Sequence, residues 1–149
     1  MARGVDPAGV EGRTVTRVRY AETDRMGVAH HTHYLVWFEL ARTRLCTLSG
    51  FHYHQIEELG FHLMVTSCRV DYRRGARYGE TLEVDAWLAE LASRRLRFAY
   101  EVRRGEEIIA TGMTEHVWVD SSTGRLCRTP QPLREPFGRL APPSENPGS

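Results

Sequence analysis

The spacing of apolar residues changes along the chain, from a helical period before residue 60 to a β-strand period after it. Residues 14–20 alternate and are rich in β-branched side chains, which predicts a strand. Over residues 33–49, apolar positions recur at steps of three and four, which predicts one stripe of an α-helix. Gly50 follows as a C-terminal stop, and a shorter helix is predicted over residues 52–59. The stripe consists of Tyr34, Phe38, Ala41, Leu45 and Leu48.

The long predicted helix has little polar surface, because four further apolar residues lie off this stripe. A helix that is apolar over most of its circumference is normally buried on most sides. We therefore expect other parts of the protein to surround it. The four residues are Leu35, Val36, Trp37 and Leu40.

After Gly60 the apolar period is two, which is typical of strands with one buried face. Alternation runs over residues 68–72, 82–88 and 96–102, and residues 107–120 form a last long strand. Turns at Gly105 and at residues 121–124 bound that strand. The pattern predicts an antiparallel meander of four strands.

Together these elements predict an α+β domain in which a curved antiparallel sheet of about five strands wraps around one long buried helix. This is the arrangement of the hotdog fold. Such a sheet leaves an edge strand and an uncovered convex face, so we expect a homodimer or homotetramer. The domain is predicted to span residues 14–140. Residues 1–13 and 141–149 are rich in glycine, proline and polar residues, and are predicted to be disordered.

Composition and charge narrow the class of function. The 149 residues fit one domain, and a net charge of +1 provides no overall positive field for nucleic acid. No apolar run approaches the roughly 20 residues that span a bilayer. The N-terminus lacks the apolar stretch of a secretory signal, which predicts a cytoplasmic location. Three well-separated cysteines, Cys46, Cys68 and Cys127, predict small apolar fillers rather than disulfides or a zinc site.

Residues 24–34, just before the long helix, combine an acid, a glycine and three histidines. The free N–H groups and positive dipole of a helix start can hold a developing oxyanion. Glycine lets the backbone approach a substrate closely. A thioester needs little more, since its thiolate has a conjugate-acid pKa of about 8.5 and leaves without a strong general acid. Asp24 is then the candidate carboxylate, as nucleophile or as general base on a water.

The same residues also have plainer interpretations. An aspartate ahead of a helix commonly caps the helix or stabilises a turn. His31 and His33 could ligate a metal, but no nearby spacing supplies a third ligand, so we expect no metal. We expect His30 to face solvent.

The loop and the helix share a family spacing, carried by Tyr20, Asp24, Gly27, Val28, His31 and Tyr34, and then by Trp37, Phe38, Glu39, Ala41 and Arg42. These residues resemble the 4-hydroxybenzoyl-CoA thioesterase group of hotdog proteins, which includes the Tol-Pal-associated acyl-CoA thioesterases. The resemblance covers most of residues 14–140. It implies hydrolysis of an acyl- or aryl-CoA thioester to the free acid and CoA, with no cofactor beyond the CoA of the substrate. His33 departs from the family, which commonly has asparagine there.

By position, the resemblance assigns catalysis to the loop. Asp24 matches the catalytic carboxylate, Gly27 lies in the same loop, and the backbone N–H of His31 matches the oxyanion donor. The His31 ring could also orient substrate, and Tyr34 belongs to the substrate-binding residues.

The resemblance also implies that the active site lies between two subunits. The partner's strand would line the pocket with Val65, Thr66 and Ser67. Arg94 and Arg95, in the turn and strand start between the third and fourth predicted strands, would hold the CoA phosphates. Alternation alone also explains Arg95 as part of a solvated strand face.

Two functions of other kinds stay open at this point. A hotdog dehydratase would use a histidine with an acid on hydroxyacyl thioesters, and a non-catalytic acyl-CoA-binding module would bind the same ligand without turnover. A serine hydrolase is disfavoured, because the chain contains no Gly-x-Ser-x-Gly elbow. The sequence leaves aryl, short-chain and long-chain acyl groups equally open.

Overall fold

The computed structural model describes residues 12–141, and its core lies between one long helix and one face of a single sheet. β1 begins at Arg13, and Ala141 packs against the core, each one residue outside the range 14–140 predicted for the domain. The rest of the predicted tails, residues 1–11 and 142–149, lies outside the described residues. The elements are β1 (Arg13–Arg17), α1 (His33–Thr47), α2 (Tyr53–Glu58), β2 (Phe61–Tyr72), β3 (Thr81–Leu91), β4 (Arg95–Arg104), β5 (Glu107–Asp120), β6 (Leu126–Cys127) and α3 (Gln131–Gly138).

The strands form an antiparallel sheet in the order β1-β3-β4-β5-β2, with β6 paired to the end of β5. The predicted α+β class and hotdog arrangement are confirmed. The four-strand meander is wrong at its first strand, because β2 lies beside β5 at one edge and not beside β3. Residues 73–80 carry the chain from β2 to the other side, where Val18 and Glu80 join their backbones at 2.9 Å.

One face of α1 packs on the sheet, as its stripe predicted. The Phe38 ring stacks on Tyr100 with the ring centroids 4.2 Å apart. Full burial of side chains of this size stabilises the fold by about 1.5–3 kcal/mol each. The residues of α1 that are buried in this way are Tyr34, Trp37, Phe38, Ala41, Leu45 and Cys46.

The opposite face of α1 is exposed, which contradicts the prediction of a helix buried on most sides. Leu35, Val36 and Leu40 keep 37%, 46% and 48% of their surface exposed, because the sheet of a single chain covers only one side of the helix. The helix ends at Thr47 rather than at residue 49, and its last stripe residue, Leu48, is exposed.

The segment after β5 contains a helix that the apolar pattern did not indicate. In α3, Leu133 and Phe137 are buried, and the Phe137 ring packs edge-to-face on Trp118. Its sequence contains two prolines, which normally disfavour a helix. Pro132, however, lies in the first turn, where the N–H that proline lacks would have no helical partner in any case. None of the helices within residues 12–141 has the length and apolar character needed to cross a bilayer.

The cysteines behave differently from one another. Cys46 is buried in the core, in agreement with the predicted role as an apolar filler. Cys127 is partly buried, but Cys68 is exposed on β2, so the prediction is wrong for Cys68. β2 is an edge strand, and the side of it that the alternation predicted to be buried is not fully covered within one chain.

Candidate active site

The loop between β1 and α1 is closed at its base by backbone contacts. Thr23 and Ala29 form an antiparallel bridge. Inside that bridge, the N–H of Asp24 donates to the carbonyl of Val28 at 2.9 Å, and the N–H of Gly27 donates to the carbonyl of Asp24 at 3.0 Å. Gly27 has a φ of 81°, a conformation that costs other residues roughly 1–2 kcal/mol. Gly27 is therefore required by the turn itself.

Asp24 lies exposed in this turn with its carboxylate partly engaged. Its Oδ1 accepts the backbone N–H of Met26 at 2.8 Å and that of Val28 at 3.4 Å. Its Oδ2 accepts no hydrogen bond from any residue in the range 12–141. The turn thus fixes the carboxylate through one oxygen and leaves the other available to a water or a substrate.

Residues 75–77 support the loop from behind. Val28 bridges to Arg77, and the N–H of Ala29 donates to the carbonyl of Ala76 at 2.7 Å. Gly75 lies so close to Val28 that an added Cβ would be 3.0 Å from its Cγ1. These contacts hold the loop against the chain that leaves β2.

Glu22 is a buried acid that ties the loop to α1. Its carboxylate accepts the backbone N–H of Arg19 at 2.8 Å and the indole N–H of Trp37 at 3.3 Å. Burial alone would raise the pKa of Glu22, but these hydrogen bonds and the guanidinium of Arg19 hold that pKa below its usual value. The carboxylate therefore stays charged at neutral pH and keeps both contacts.

The backbone N–H of His31 is free at the start of α1. The neighbouring N–H groups are engaged, since that of His30 donates to the carbonyl of Glu22 at 2.8 Å and that of His33 donates to the carbonyl of His30 at 3.1 Å. For the His31 N–H, no acceptor exists within the described part of the chain. This group can donate to a ligand without breaking any contact.

The three histidine rings contact one another through His30. The centroids of the His30 and His31 rings are 4.2 Å apart with the ring planes tilted by 30°, and the His33 ring meets His30 edge-on. His30 is exposed, as predicted. Across residues 12–141, no three side chains of His, Cys, Asp or Glu are placed to hold a metal ion together.

A cavity of about 250 Å³ opens beside the start of α1. The hydroxyl of Tyr72 donates to the carbonyl of His31 at 2.9 Å on one wall, and the Tyr34 ring meets the Tyr72 ring edge-to-face. Burial raises the pKa of Tyr34, so its hydroxyl stays protonated near neutral pH. Asp24 is not part of the wall within one chain. The lining residues are Ala29, His31, Tyr34, Tyr72, Arg73, Arg74 and Gly75.

Val65, Thr66 and Ser67 lie exposed at the middle of β2, away from this cavity. The register of β2 against β5 shifts between Val65 and Ser67, which marks a β-bulge. Ser67 donates its hydroxyl to Glu115 at 3.3 Å. Five residues of strand separate Ser67 from Tyr72, or roughly 17 Å, so one chain does not bring these residues to its own cavity.

Arg94 and Arg95 lie still farther away, at the opposite end of the sheet. Arg95 pairs with Val117, which pairs with Met64 of β2. Eight residues of strand then separate that row from Tyr72, or roughly 26 Å. Arg95 forms an ion pair with Glu90 at 3.2 Å, whereas Arg94 has no ion pair or hydrogen bond to any residue between 12 and 141.

A second and larger cavity, of about 330 Å³, lies beside this turn. Two arginines, Arg128 and Arg134, contribute to its wall, and Arg134 is held in place because its Nε donates to the carbonyl of Thr129 at 3.0 Å. Neither arginine was among the predicted phosphate-binding residues. The lining residues are Leu91, Ala92, Ser93, Arg128, Thr129 and Arg134.

The family model described as the thioesterase-like superfamily matches residues 18–137, most of the 149-residue chain. The chain belongs to this superfamily. The resemblance on which the sequence analysis relied is thereby confirmed at the level of the family.

Individual relatives of this superfamily member agree with the assignment. The hypothetical protein TT1821 from Thermus thermophilus is 39% identical, with a TM-score of 0.82 over 86% of this chain and 98% of that chain. The DHNA-CoA thioesterase from Staphylococcus aureus is 31% identical, with a TM-score of 0.80 over 86% and 89% of the two chains. The acyl-CoA thioesterase YbgC of Haemophilus influenzae is 27% identical over 125 residues, which are 83% of this chain and 92% of YbgC.

The structure of this superfamily member adds two residues that the sequence analysis did not assign to the site. Glu22 precedes Asp24 by two positions, and its place beside a candidate catalytic acid is the local signal for it in the sequence. Tyr72 ends an alternating strand, but its contact with His31 joins residues 41 positions apart. A local sequence pattern does not predict a contact between residues so far apart in the chain.

Proposed function

We propose that this protein is an acyl-CoA thioesterase that hydrolyses an acyl- or aryl-CoA thioester to the free acid and CoA. The observation that carries the proposal is the free N–H of His31 at the wall of a cavity, with the available Oδ2 of Asp24 in the loop before it. The Staphylococcus aureus and Haemophilus influenzae relatives are named as CoA thioesterases, which supports CoA thioesters as the substrate class.

In the proposed reaction, the thioester carbonyl oxygen accepts a hydrogen bond from the His31 N–H. The positive end of the α1 dipole adds to the stabilisation of the oxyanion. Asp24 acts in one of two ways. Its carboxylate attacks the carbonyl carbon, expelling the CoA thiolate and leaving an anhydride that water hydrolyses, or it takes a proton from a water that attacks instead.

We further propose that two chains build each active site, because β2 is a long edge strand with exposed apolar side chains. β2 has 12 residues, and Met64 and Val65 are each 47% exposed. An edge of this length offers a row of unpaired backbone groups to a second copy. Antiparallel pairing of two β2 strands about their middle is a symmetric contact and puts residues 65–67 of both chains next to the two-fold axis.

This pairing also brings Arg94 and Arg95 of one chain closer to the cavity of the other chain. Pairing about the middle of β2 sets residue 61 of the partner opposite Tyr72. The cross-strand row that contains the partner's Arg95 then lies three residues along the strand from Tyr72. Arg95 itself lies three strands across the sheet from the strand of Tyr72. That separation is roughly 17 Å, shorter than the distance within one chain. The partner's Arg94, which lacks an ion pair to the described residues, is then the first candidate for the CoA phosphates, with Arg95 beside it.

Release of free thiol from a panel of aryl-, short-chain and long-chain acyl-CoA esters tests the proposal. We expect turnover of at least one ester and identification of the acyl class by the highest kcat/KM. A dehydratase or a non-catalytic acyl-CoA-binding module would release no CoA. Binding of several esters without thiol release would therefore contradict the thioesterase proposal. The cytoplasmic location and a homotetrameric assembly stay predictions.

A further inference from the structure

Tyr72 joins the end of β2 to the start of α1. Its hydroxyl donates to the carbonyl oxygen of His31 at 2.9 Å. The same carbonyl accepts the N–H of Tyr34 at 3.3 Å, which is a longer and weaker contact. Within residues 12–141, Tyr72 is therefore the only side chain that donates to this carbonyl. The N–H of the same peptide group, that of Thr32, donates to Nδ1 of His30 at 3.3 Å.

The His31 N–H shares its peptide plane with the His30 carbonyl, which accepts the N–H of His33 at 3.1 Å. Its direction also depends on the groups on either side of that plane. On the N-terminal side, the His30 N–H is fixed by the carbonyl of Glu22 at 2.8 Å. On the C-terminal side, the carbonyl of His31 is fixed mainly by Tyr72. Helix starts fray when their backbone groups lack partners, and an oxyanion donor works only when it is aimed at the position the oxyanion will occupy.

The Tyr72 ring is 48% exposed, and its other side contacts buried aromatic side chains. Its ring meets Tyr34 edge-to-face at 4.9 Å between centroids, and Tyr34 packs on Trp37 at 4.7 Å. Trp37 in turn donates to Glu22. Burial raises the pKa of Tyr72, so its hydroxyl stays a donor throughout the neutral range.

We propose that Tyr72 is a positioning residue, whose hydroxyl holds the His31 carbonyl so that the His31 N–H points at the thioester carbonyl. The inference rests on the proposed function, because it assigns a role within the same site. Tyr72 acts through His31 and takes no proton or electron pair in the reaction.

The test compares Tyr72→Phe, which keeps the ring and removes the hydroxyl, with Tyr78→Phe. Tyr78 is 65% exposed, packs edge-on against Tyr20, and has no hydroxyl partner in the described chain. For Tyr72→Phe we expect kcat to fall about tenfold or more, with KM and the Kd for free CoA changed less than about twofold. Loss of one hydrogen bond should lower Tm by only about 2–4 °C. Tyr78→Phe should match the wild type in each respect.

Amide hydrogen exchange provides a readout that does not depend on turnover. In Tyr72→Phe, the amides of His33 and Tyr34 should exchange faster, while that of Leu45 near the other end of α1 should be unchanged. If the wild-type protein releases no thiol, the proposed function fails. The exchange rates still test whether the Tyr72 hydroxyl holds the His31 carbonyl.

Four results would overturn the positioning role. Unchanged values of both kcat and KM in Tyr72→Phe would show that the hydroxyl is not needed. A raised KM with an unchanged kcat would make Tyr72 a substrate contact. A fall in Tm of more than about 10 °C, or unchanged exchange at His33, would make it a stabiliser of the fold or an idle contact.

Discussion

Phe38 and Gly112 pack so closely that the glycine has no room for a side chain. A Cβ added to Gly112 would overlap the Phe38 ring and lie 2.7 Å from the backbone oxygen of Arg69. The Phe38 ring also stacks on Tyr100 almost in parallel. Phe38 follows Tyr34 by one helical turn, so this contact helps to set the height of the α1 start above the sheet.

Replacing Gly112 with alanine should therefore destabilise the protein. The added methyl forces Phe38 or the β2 backbone to move, which costs about 1–3 kcal/mol. Urea unfolding of Gly112→Ala measures the change, with Gly138→Ala as the control, because nothing lies within 4 Å of a Cβ at residue 138. Equal stability of the Gly112 variant and the wild type would show that the sheet yields easily there.

His116 gives the fold a specific dependence on pH. Its ring is buried, and its Nε2 lies 2.8 Å from the hydroxyl of Thr114. Burial, together with the charge of Arg42, lowers the pKa of His116 to about 3. The unfolded chain has a histidine pKa of about 6.5, so it binds a proton below that pH while the folded chain does not.

Stability should consequently fall as pH drops from about 6.5 towards 3, and His116 alone should contribute a loss of about 2 kcal/mol at pH 5. His116→Gln, which cannot ionise, should lose less stability between pH 7.5 and pH 5 than the wild type. His54→Gln alters an exposed histidine and should leave the pH dependence unchanged. Parallel pH profiles for the wild type and His116→Gln would refute this origin.

Most of the fold could be predicted from local patterns. The start of α1 at His33 and the bounds of β5 agree with the apolar periods, because each element has one buried face that repeats along the chain. The place of β2 could not be predicted, since alternation is the same whichever strand lies alongside. The exposed Leu35 and Leu40 show a further limit: an apolar pattern does not say whether the residues that cover it belong to the same chain.

The candidate site was predictable only in part. The family spacing indicated Asp24 and His31, and a glycine at residue 27 fits the positive φ that the turn requires. The support from Glu22 and Tyr72 depends on side chains meeting in three dimensions, which no spacing reveals. Likewise, only the strand registers show that Arg94 and the cavity at His31 lie at opposite ends of the sheet.

Charge reversal at Arg94 and Arg95 should weaken the hydrolysis of CoA esters more than that of matching pantetheine thioesters. The reason is that only the CoA ester carries the phosphates that these arginines are proposed to bind. The kcat/KM ratio of the two substrates is the measurement, with Arg139→Glu, just after the end of α3, as a control for surface charge. Equal losses on both substrates would remove the phosphate role.

Mixing impaired variants tests whether the site is shared between chains. Subunits that carry Asp24→Asn are combined with subunits that carry Arg94→Glu and Arg95→Glu, and the subunits are allowed to exchange. In a mixed dimer, one site then unites an intact Asp24 with intact arginines from the partner, so CoA-ester hydrolysis should rise above that of either parent. Activity equal to the average of the parents would place both groups in one chain.

The central claim is that the Asp24 carboxylate acts on the thioester, and single-site replacement tests it most directly. Asp24→Asn keeps an Oδ1 that can accept the Met26 N–H, so the turn should survive. The matched control is Asp120→Asn, since Asp120 makes the same kind of turn contact with the N–H of Ser122 at 2.9 Å. We predict that Asp24→Asn retains the wild-type Tm and loses about a hundredfold or more in kcat for thiol release, while Asp120→Asn keeps full activity. Turnover near the wild-type rate in a folded Asp24→Asn would contradict the account.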